Sequence, residues 1–147
     1  MRARRAVYLI DTDAVSELRK GGAANPGVAS YFADAARRDV PLYLSAVTIG
    51  ELRRGVELVR HRGDAHQAGL LERWLDRITV DYGDNILPFD AGIADLWGRL
   101  RVPHPENPLD QQIAATALLF DLTIVTGNVR HFAHLPVRVI DPYTTRP

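Results

Sequence analysis

Apolar positions along the chain fall into short continuous runs that alternate with stretches spaced at three and four residues. "AVYLID" (6–11) has the length and composition of a buried strand, and "TDAVSELRK" then shows helical spacing through Val15 and Leu18 until Gly21-Gly22 stops it. Asn25-Pro26 pairs an N-cap residue with proline at the first helical position, and Val28, Tyr31, Phe32 and Ala35 line one face of the helix that follows. "PLYLS" is a second short strand. A helix from about Ala46 to Arg60 comes next, then one from about Asp64 to Ile78 carrying Leu70, Leu71, Trp74, Leu75 and Ile78. The loop "DYGDN" breaks that pattern, "ILPF" predicts a brief strand and "DAGIADLWGRL" a helix. "RVPHPENP" has three prolines and no periodicity, so it predicts a loop ending in a helix entry at Pro108. That helix runs to about Phe120, "LTIVT" is a strand, "GNVRHFAHL" is irregular, and "VRVID" is a last strand before "PYTTRP". Strands alternate with helices throughout, which predicts an α/β fold with a parallel sheet covered on both faces.

At 147 residues the chain has the length of one ordinary domain, and no repeat, linker or low-complexity stretch divides it, so a single domain over 1–147 is expected. There are no cysteines, which removes disulfides and thiolate metal sites. "MRARRAVYLID" holds only a five-residue apolar run before Asp11. A membrane span needs about 20 apolar residues, and a signal peptide also needs a longer apolar core, so a soluble, cytoplasmic protein with no membrane partner is expected. The 18 basic and 18 acidic side chains cancel, leaving any contact with nucleic acid to local patches. Seventeen of the basic residues are arginine and the only lysine is Lys20.

The acids carry the candidate chemistry. Asp11 ends the first strand where a helix begins, at the carboxyl edge where open α/β sheets bind ligands; capping that helix is the competing explanation. On a helical wheel Thr48, Leu52, Gly55 and Val59 form the inward stripe, with Glu51 beside it and Arg53, Glu57 and Arg60 pointing away. A carboxylate at that margin is costly unless it is paired, with Arg54 for example, or bound to metal. Asp110 shares a helix face with Ile113, Ala114 and Ala117. A favourable helix dipole explains an acid in the first turn, at about 0.3–1 kcal/mol, but not one on the buried face. The small residues of "IAATA" let this helix approach the sheet and bring Asp110 toward the strand ends. Asn128 lies two residues past "TIVT", where an amide can shape a turn or offer an oxygen. Asp13, Asp90, Asp95 and Asp121 are read as mainly structural. Three converging carboxylates repel one another, so a hard cation, Mg2+ or Mn2+, is their natural partner, and phosphoester hydrolysis is the chemistry implied.

The opening acid-x-acid pattern resembles the first motif of haloacid-dehalogenase-type phosphatases, where Asp11 would be a nucleophile. That family and the receiver domains of two-component signalling both need a downstream lysine, and none follows Lys20. No glycine-rich phosphate loop is present either. "LIDTDAVSELRK", "LSAVTIGELRRGVELV", "ILPFDAGIADLWGRL", "NPLDQQIAATALLFDLTIVTGNVRHF" and "VIDPY" together resemble PIN-domain ribonucleases of the VapC/FitB type, toxins of bacterial toxin–antitoxin pairs. The likeness covers nearly the whole chain in the family's order.

The resemblance implies a three-layer α/β/α PIN-like fold with a mainly parallel central sheet and Mg2+- or Mn2+-dependent RNA cleavage. It implies that Asp11, Glu51 and Asp110 are metal-binding and catalytic acids, with Thr12 and Thr126 as hydroxyls near the metal. The fourth position, an acid in many of these proteins, falls on Asn128, and the family's "NxxDF" reads "NVRHF", so that His131 replaces an acid and takes no assigned role. Asp13 stands where the family often has asparagine. Arg19, Arg53, Arg54 and Arg130 are candidates for holding the RNA backbone through fork-shaped contacts, each with a solvated helix face as its plainer explanation. His61, His66, His131 and His134 lack the company a zinc site needs and are read as surface residues. The family also implies a homodimer and a cognate VapB-like antitoxin covering the acidic site. The alternative function is a non-catalytic PIN-like module that binds RNA or protein.

Overall fold

The computed structural model describes residues 6–143, so the basic segment before Ala6 and the end of "PYTTRP" lie outside the described residues. The elements are β1 (Tyr8–Ile10), α1 (Thr12–Glu17), α2 (Pro26–Arg37), β2 (Leu42–Ser45), α3 (Ala46–His61), α4 (Ala65–Tyr82), β3 (Ile86–Leu87), α5 (Ala91–Leu100), α6 (Pro108–Phe120), β4 (Thr123–Val125) and β5 (Arg138–Ile140). The five strands form one sheet in the order β3-β2-β1-β4-β5, and every pairing is parallel.

Both faces of this sheet are covered, which is why its central strands are continuous apolar runs rather than alternating ones. Ile10, Leu44 and Val125 face a core completed by Ala14 and Val15 of α1, Leu52 and Val56 of α3, and Leu75 and Ile78 of α4. Leu9 and Ile124 face the opposite way, onto Ile113, Ala114 and Ala117 of α6 and Phe132 beyond β4. The expected α/β/α layering follows from this period-two division. Alanines at 114, 115 and 117 are at most 1% exposed, so α6 lies close on the sheet with its N-terminal turn at the strand ends.

The sheet was built outward from its centre. The chain goes β1 to β2 to β3 on one side, then β4 to β5 on the other, so strand order reverses between β1 and β4. Open α/β sheets bind ligands in the crevice beyond the carboxyl ends of their strands at such a reversal.

Caps follow the sequence signals. Asn25 accepts hydrogen bonds from the amides of Gly27 and Val28, Ser45 from Val47, and Asp90 from Ile93. Two helix ends and one buried face depart from the sequence pattern. The first helix ends at Glu17 and tightens into a 3-10 segment, Leu18–Ala23, where the Glu17 carboxylate accepts from the Asn25 amide at 2.9 Å. α4 runs a turn beyond Ile78 to Tyr82, because Tyr82 packs on the same core as Ile78, and it stops at Gly83 with φ 48°. The buried stripe of α3 is Thr48, Leu52 and Val56 rather than one passing through Gly55. Among the described residues no helix is long and apolar enough to cross a membrane.

Candidate active site

Asp11 follows β1 directly, and its amide extends the ladder by donating to the Val125 carbonyl at 2.9 Å. It occupies the N-cap position of α1, yet its carboxylate makes no capping hydrogen bond, so capping does not account for this acid. The side chain is instead 2% exposed and accepts a 2.7 Å hydrogen bond from Thr126 Oγ1 across the strand reversal. Burial pushes the Asp11 carboxyl up from 3.8 to about 7; the Thr126 bond opposes the rise, and the charges of Asp13 and Asp110 add to it.

Thr126 organises the other bank. Its hydroxyl has one proton, which goes to Asp11 at 2.7 Å rather than to Asp13 Oδ1 at 3.2 Å, while its oxygen accepts from the Asn128 amide at 2.9 Å. Asp13 is fixed by the Gly127 amide, which donates to its Oδ2 at 2.8 Å. A Cβ on Gly127 would lie 2.7 Å from the Tyr143 ring and 2.9 Å from Asp13 Oδ2, so only glycine lets these groups close together. Asp13 is thus a clasp between α1 and the end of β4, a more specific structural part than a first-turn acid. Nothing in the α1 pattern signals a partner in the distant "TGN" segment.

Glu51 projects from α3 toward the same edge. Thr12 Oγ1 lies 2.7 Å from Glu51 Oε1 and 3.0 Å from Thr48 Oγ1; its single proton serves the carboxylate, leaving its oxygen to accept from Thr48. The Glu51–Arg54 ion pair allowed for in the sequence does not form, and Arg54 is exposed. Glu51 is held above its ordinary carboxyl range by burial first, with the charges of Asp110 and Asp13 adding and the Thr12 bond opposing.

Asp110 stands in the first turn of α6, on a side chain 18% exposed, and His131 Nδ1 is 2.6 Å from its Oδ2. The histidine was expected to be a bystander at the surface; it is half-exposed but turned onto the acid. The only sequence signal for this was its place in "NVRHF", where a carboxylate was expected. Asn128 is exposed and shares with Glu51, Asp110 and His131 the wall of an open depression of about 390 Å³. Glu51 also forms part of the rim of a neighbouring cavity of about 240 Å³, where Thr12 and Arg19 give way to Leu52, Val56, Leu71 and Trp74.

The arginine candidates separate. Arg19 lines the cavity beside Glu51, and Arg130 lies with Gly127, Asn128 and Asp141 around an adjoining depression. Arg54 sits farther along α3 beside Glu57 and Leu58. Arg53 is turned away to α4, 2.5 Å from Glu72, 3.7 Å from Glu57 and 4.0 Å from Asp76, so it is withdrawn from the group of rim arginines. The sequence had already put Arg53 on the outward face of α3, and the carboxylates of α4 hold it there.

The donor set is all oxygen: carboxylates from the end of β1, from α3 and from α6, threonine hydroxyls and an amide. An acid raised first by burial and then by acidic neighbours is stabilised in its charged form by a cation, so Asp11, Glu51 and Asp110 fit a hard divalent ion in chemical type. Among the described residues no three His, Asp or Glu side chains close into a ready-made cage.

A parallel α/β sheet with acids gathered at its strand reversal defines a class of protein, and the family can be named. The PIN domain model matches residues 8–137, and the chain belongs to the PIN-domain family. It is 32% identical to Toxin FitB of Neisseria gonorrhoeae over 142 residues, 93% of this chain and 99% of that protein. The crystal structure of FitAcB from Neisseria gonorrhoeae superposes with a TM-score of 0.79 at 30% identity, covering 92% of this chain and 98% of that one. VapBC2 from Rickettsia felis, solved with a DNA fragment from its promoter, shares the fold at a TM-score of 0.70 and 18% identity, over 91% of this chain and 97% of that one.

Proposed function

We propose that this PIN-domain protein is the toxin of a toxin–antitoxin pair and a Mg2+- or Mn2+-dependent endoribonuclease. What supports the reading is that Asp11 beyond β1 and Glu51 on α3 each feel the charge of Asp110 on α6, at the carboxyl edge where the strand order reverses between β1 and β4. Similarity to a protein named a toxin, over nearly the full length of both chains, supports the biological half.

In this reading Asp11 and Asp110 hold the cation and Glu51 either joins them or orients the attacking water. When bound, the cation supplies Lewis-acid polarisation of the phosphodiester. Thr126 fixes the rotation of Asp11 and Thr12 that of Glu51, so both acids are set before RNA arrives. Glu51, held above its ordinary carboxyl range by burial, is a stronger base than a solvated carboxylate and suits acceptance of a proton from water. Asn128 offers an amide oxygen or donor at the open side, and Arg19, Arg54 and Arg130 contact RNA phosphates. Water adds to phosphorus, the bond to the 3′ oxygen breaks, and the products carry a 5′-phosphate and a 3′-hydroxyl.

The same reading gives one domain over 1–147, a homodimer, a cognate VapB-like antitoxin that covers the acidic site, and a cytoplasmic location. A binding module that does not cut is favoured by one observation: Asn128 and His131 both stand where acids were expected. Incubation of antitoxin-free protein with bacterial RNA separates the two. Metal-dependent cuts lost in Asp110→Asn establish the nuclease, and their absence from folded, partner-free protein establishes the module.

A further inference from the structure

We propose that His131 is the positioning residue for Asp110: its imidazole holds one carboxylate oxygen of Asp110 so that the other is presented to a divalent cation. This rests on the reading of the acidic cluster as a cation site, and it concerns a residue that takes the place of an acid.

The geometry supplies the argument. Against an ionised Asp110, the nitrogen 2.6 Å from Oδ2 must be the donor, so Nδ1 carries the proton. Nδ1 engages Oδ2 alone; no hydrogen bond to Asp110 Oδ1 is found among the described residues. The charge of Asp110 is felt at both Asp11 and Glu51, so the carboxylate that His131 holds lies close to those acids as well.

The imidazole is mounted firmly. The His131 amide donates to the Asn128 carbonyl at 3.0 Å, which closes a 3-10 segment, Val129–Phe132, right after the Thr126 clasp. The next residue, Phe132, is 1% exposed and packs with Ile113 and Ala117 of the helix that bears Asp110. Movement of the His131 backbone relative to α6 therefore requires movement of Phe132 in the core. An aspartate in a first helical turn with no such contact would sample several rotamers, and holding it in one removes an entropic cost of cation binding.

An acid at 131 would add a fourth negative charge and a further ligand. A histidine donating to Asp110 adds neither, so a single cation held by few carboxylates is the stoichiometry this arrangement favours.

The test is calorimetric titration of the full chain with Mn2+, without RNA, for the wild type, His131→Ala, His131→Asn and Asp110→Asn, each checked for folding by its thermal melt. Losing a partner of a metal-binding side chain weakens metal affinity about 10–100-fold, and that is expected for His131→Ala. His131→Asn, whose amide can donate from nearly the position of Nδ1, recovers most of the loss. Asp110→Asn binds no Mn2+ in the same range. Unchanged or tighter binding in His131→Ala, with Asp110→Asn defective, overturns the positioning role and leaves the site intact. Binding unaffected in Asp110→Asn overturns the site itself, and the inference with it.

Discussion

Replacing Asp11 by asparagine removes the most deeply buried charge at the sheet edge, and without added metal this change stabilises the fold at pH 8. Asp11 has a carboxyl pKa of 3.8 when solvated and about 7 in the folded protein. Its proton is therefore bound more tightly in the folded state, the reverse of an acid paired with a cation. Between pH 4 and 7 the folded chain holds more protons than the unfolded one, so stability falls as pH rises through this range and levels off above it. The difference amounts to a ceiling of about 4 kcal/mol at about 1.4 kcal/mol per pH unit. Asparagine keeps an acceptor for the Thr126 hydroxyl but brings an amide with two new donors to satisfy. A net gain of about 2 kcal/mol is expected, which for a chain of this size raises Tm by about 4–8 °C. The assay is thermal unfolding of wild type and Asp11→Asn in chelator from pH 5 to 8, repeated with Mg2+ or Mn2+. The two proteins should converge at pH 5 and separate at pH 8, and metal should raise only the wild type. An Asp11→Asn protein that melts below the wild type at pH 8 in chelator would refute the reasoning, since Asp11 would then be stabilised rather than strained by its surroundings.

Further outcomes follow from individual contacts. Gly127→Ala drives a methyl into Tyr143 and Asp13 Oδ2, at 2.7 and 2.9 Å, and should cost about 1–3 kcal/mol in urea unfolding, the usual scale of overpacking. Tyr31→Phe removes a buried hydroxyl that has no hydrogen-bond partner among the described residues, so it should be neutral or stabilising by about 1 kcal/mol, read as an unchanged or raised Tm. Arg53→Ala loses only solvent-exposed pairs with Glu57, Glu72 and Asp76, so it should leave both RNA cleavage and its salt dependence as in the wild type, whereas Arg19→Ala beside Glu51 should weaken RNA binding. Thr126→Val keeps the shape and deletes the hydrogen bond to Asp11, and should reduce Mn2+ affinity measured by calorimetry.

Much of this arrangement was legible in the sequence because it follows from local pattern. Continuous apolar runs marked the central strands, Asn25-Pro26 marked a helix start, and the small residues from Ile113 to Ala117 foretold a helix lying close on the sheet. The convergence of Asp11 and Asp110 could be argued because each sits where a strand or helix meets the sheet edge. What sequence position does not encode is which side chain turns to which across the fold. Asp13 meets Gly127 and Thr126 over more than a hundred residues of chain, Glu51 takes the hydroxyl of Thr12 instead of the nearby Arg54, and Arg53 is captured by a carboxylate of α4. His131 escaped for the same reason: its partner lies on another helix, and an isolated histidine in an irregular segment has no periodicity to read. Helix ends shifted where tertiary packing decided them, as at Tyr82, whose ring extends α4 by joining the core.

The three acids are proposed to make an RNA-cutting site. The most direct test incubates purified, antitoxin-free protein with total bacterial RNA, with and without Mg2+ or Mn2+, alongside Asp110→Asn, and sequences the new RNA ends. Discrete metal-dependent cuts bearing 5′-phosphates, absent from the variant, are the predicted result. Intact RNA with either metal, from protein shown to be folded and partner-free, or identical cuts from Asp110→Asn, would contradict it.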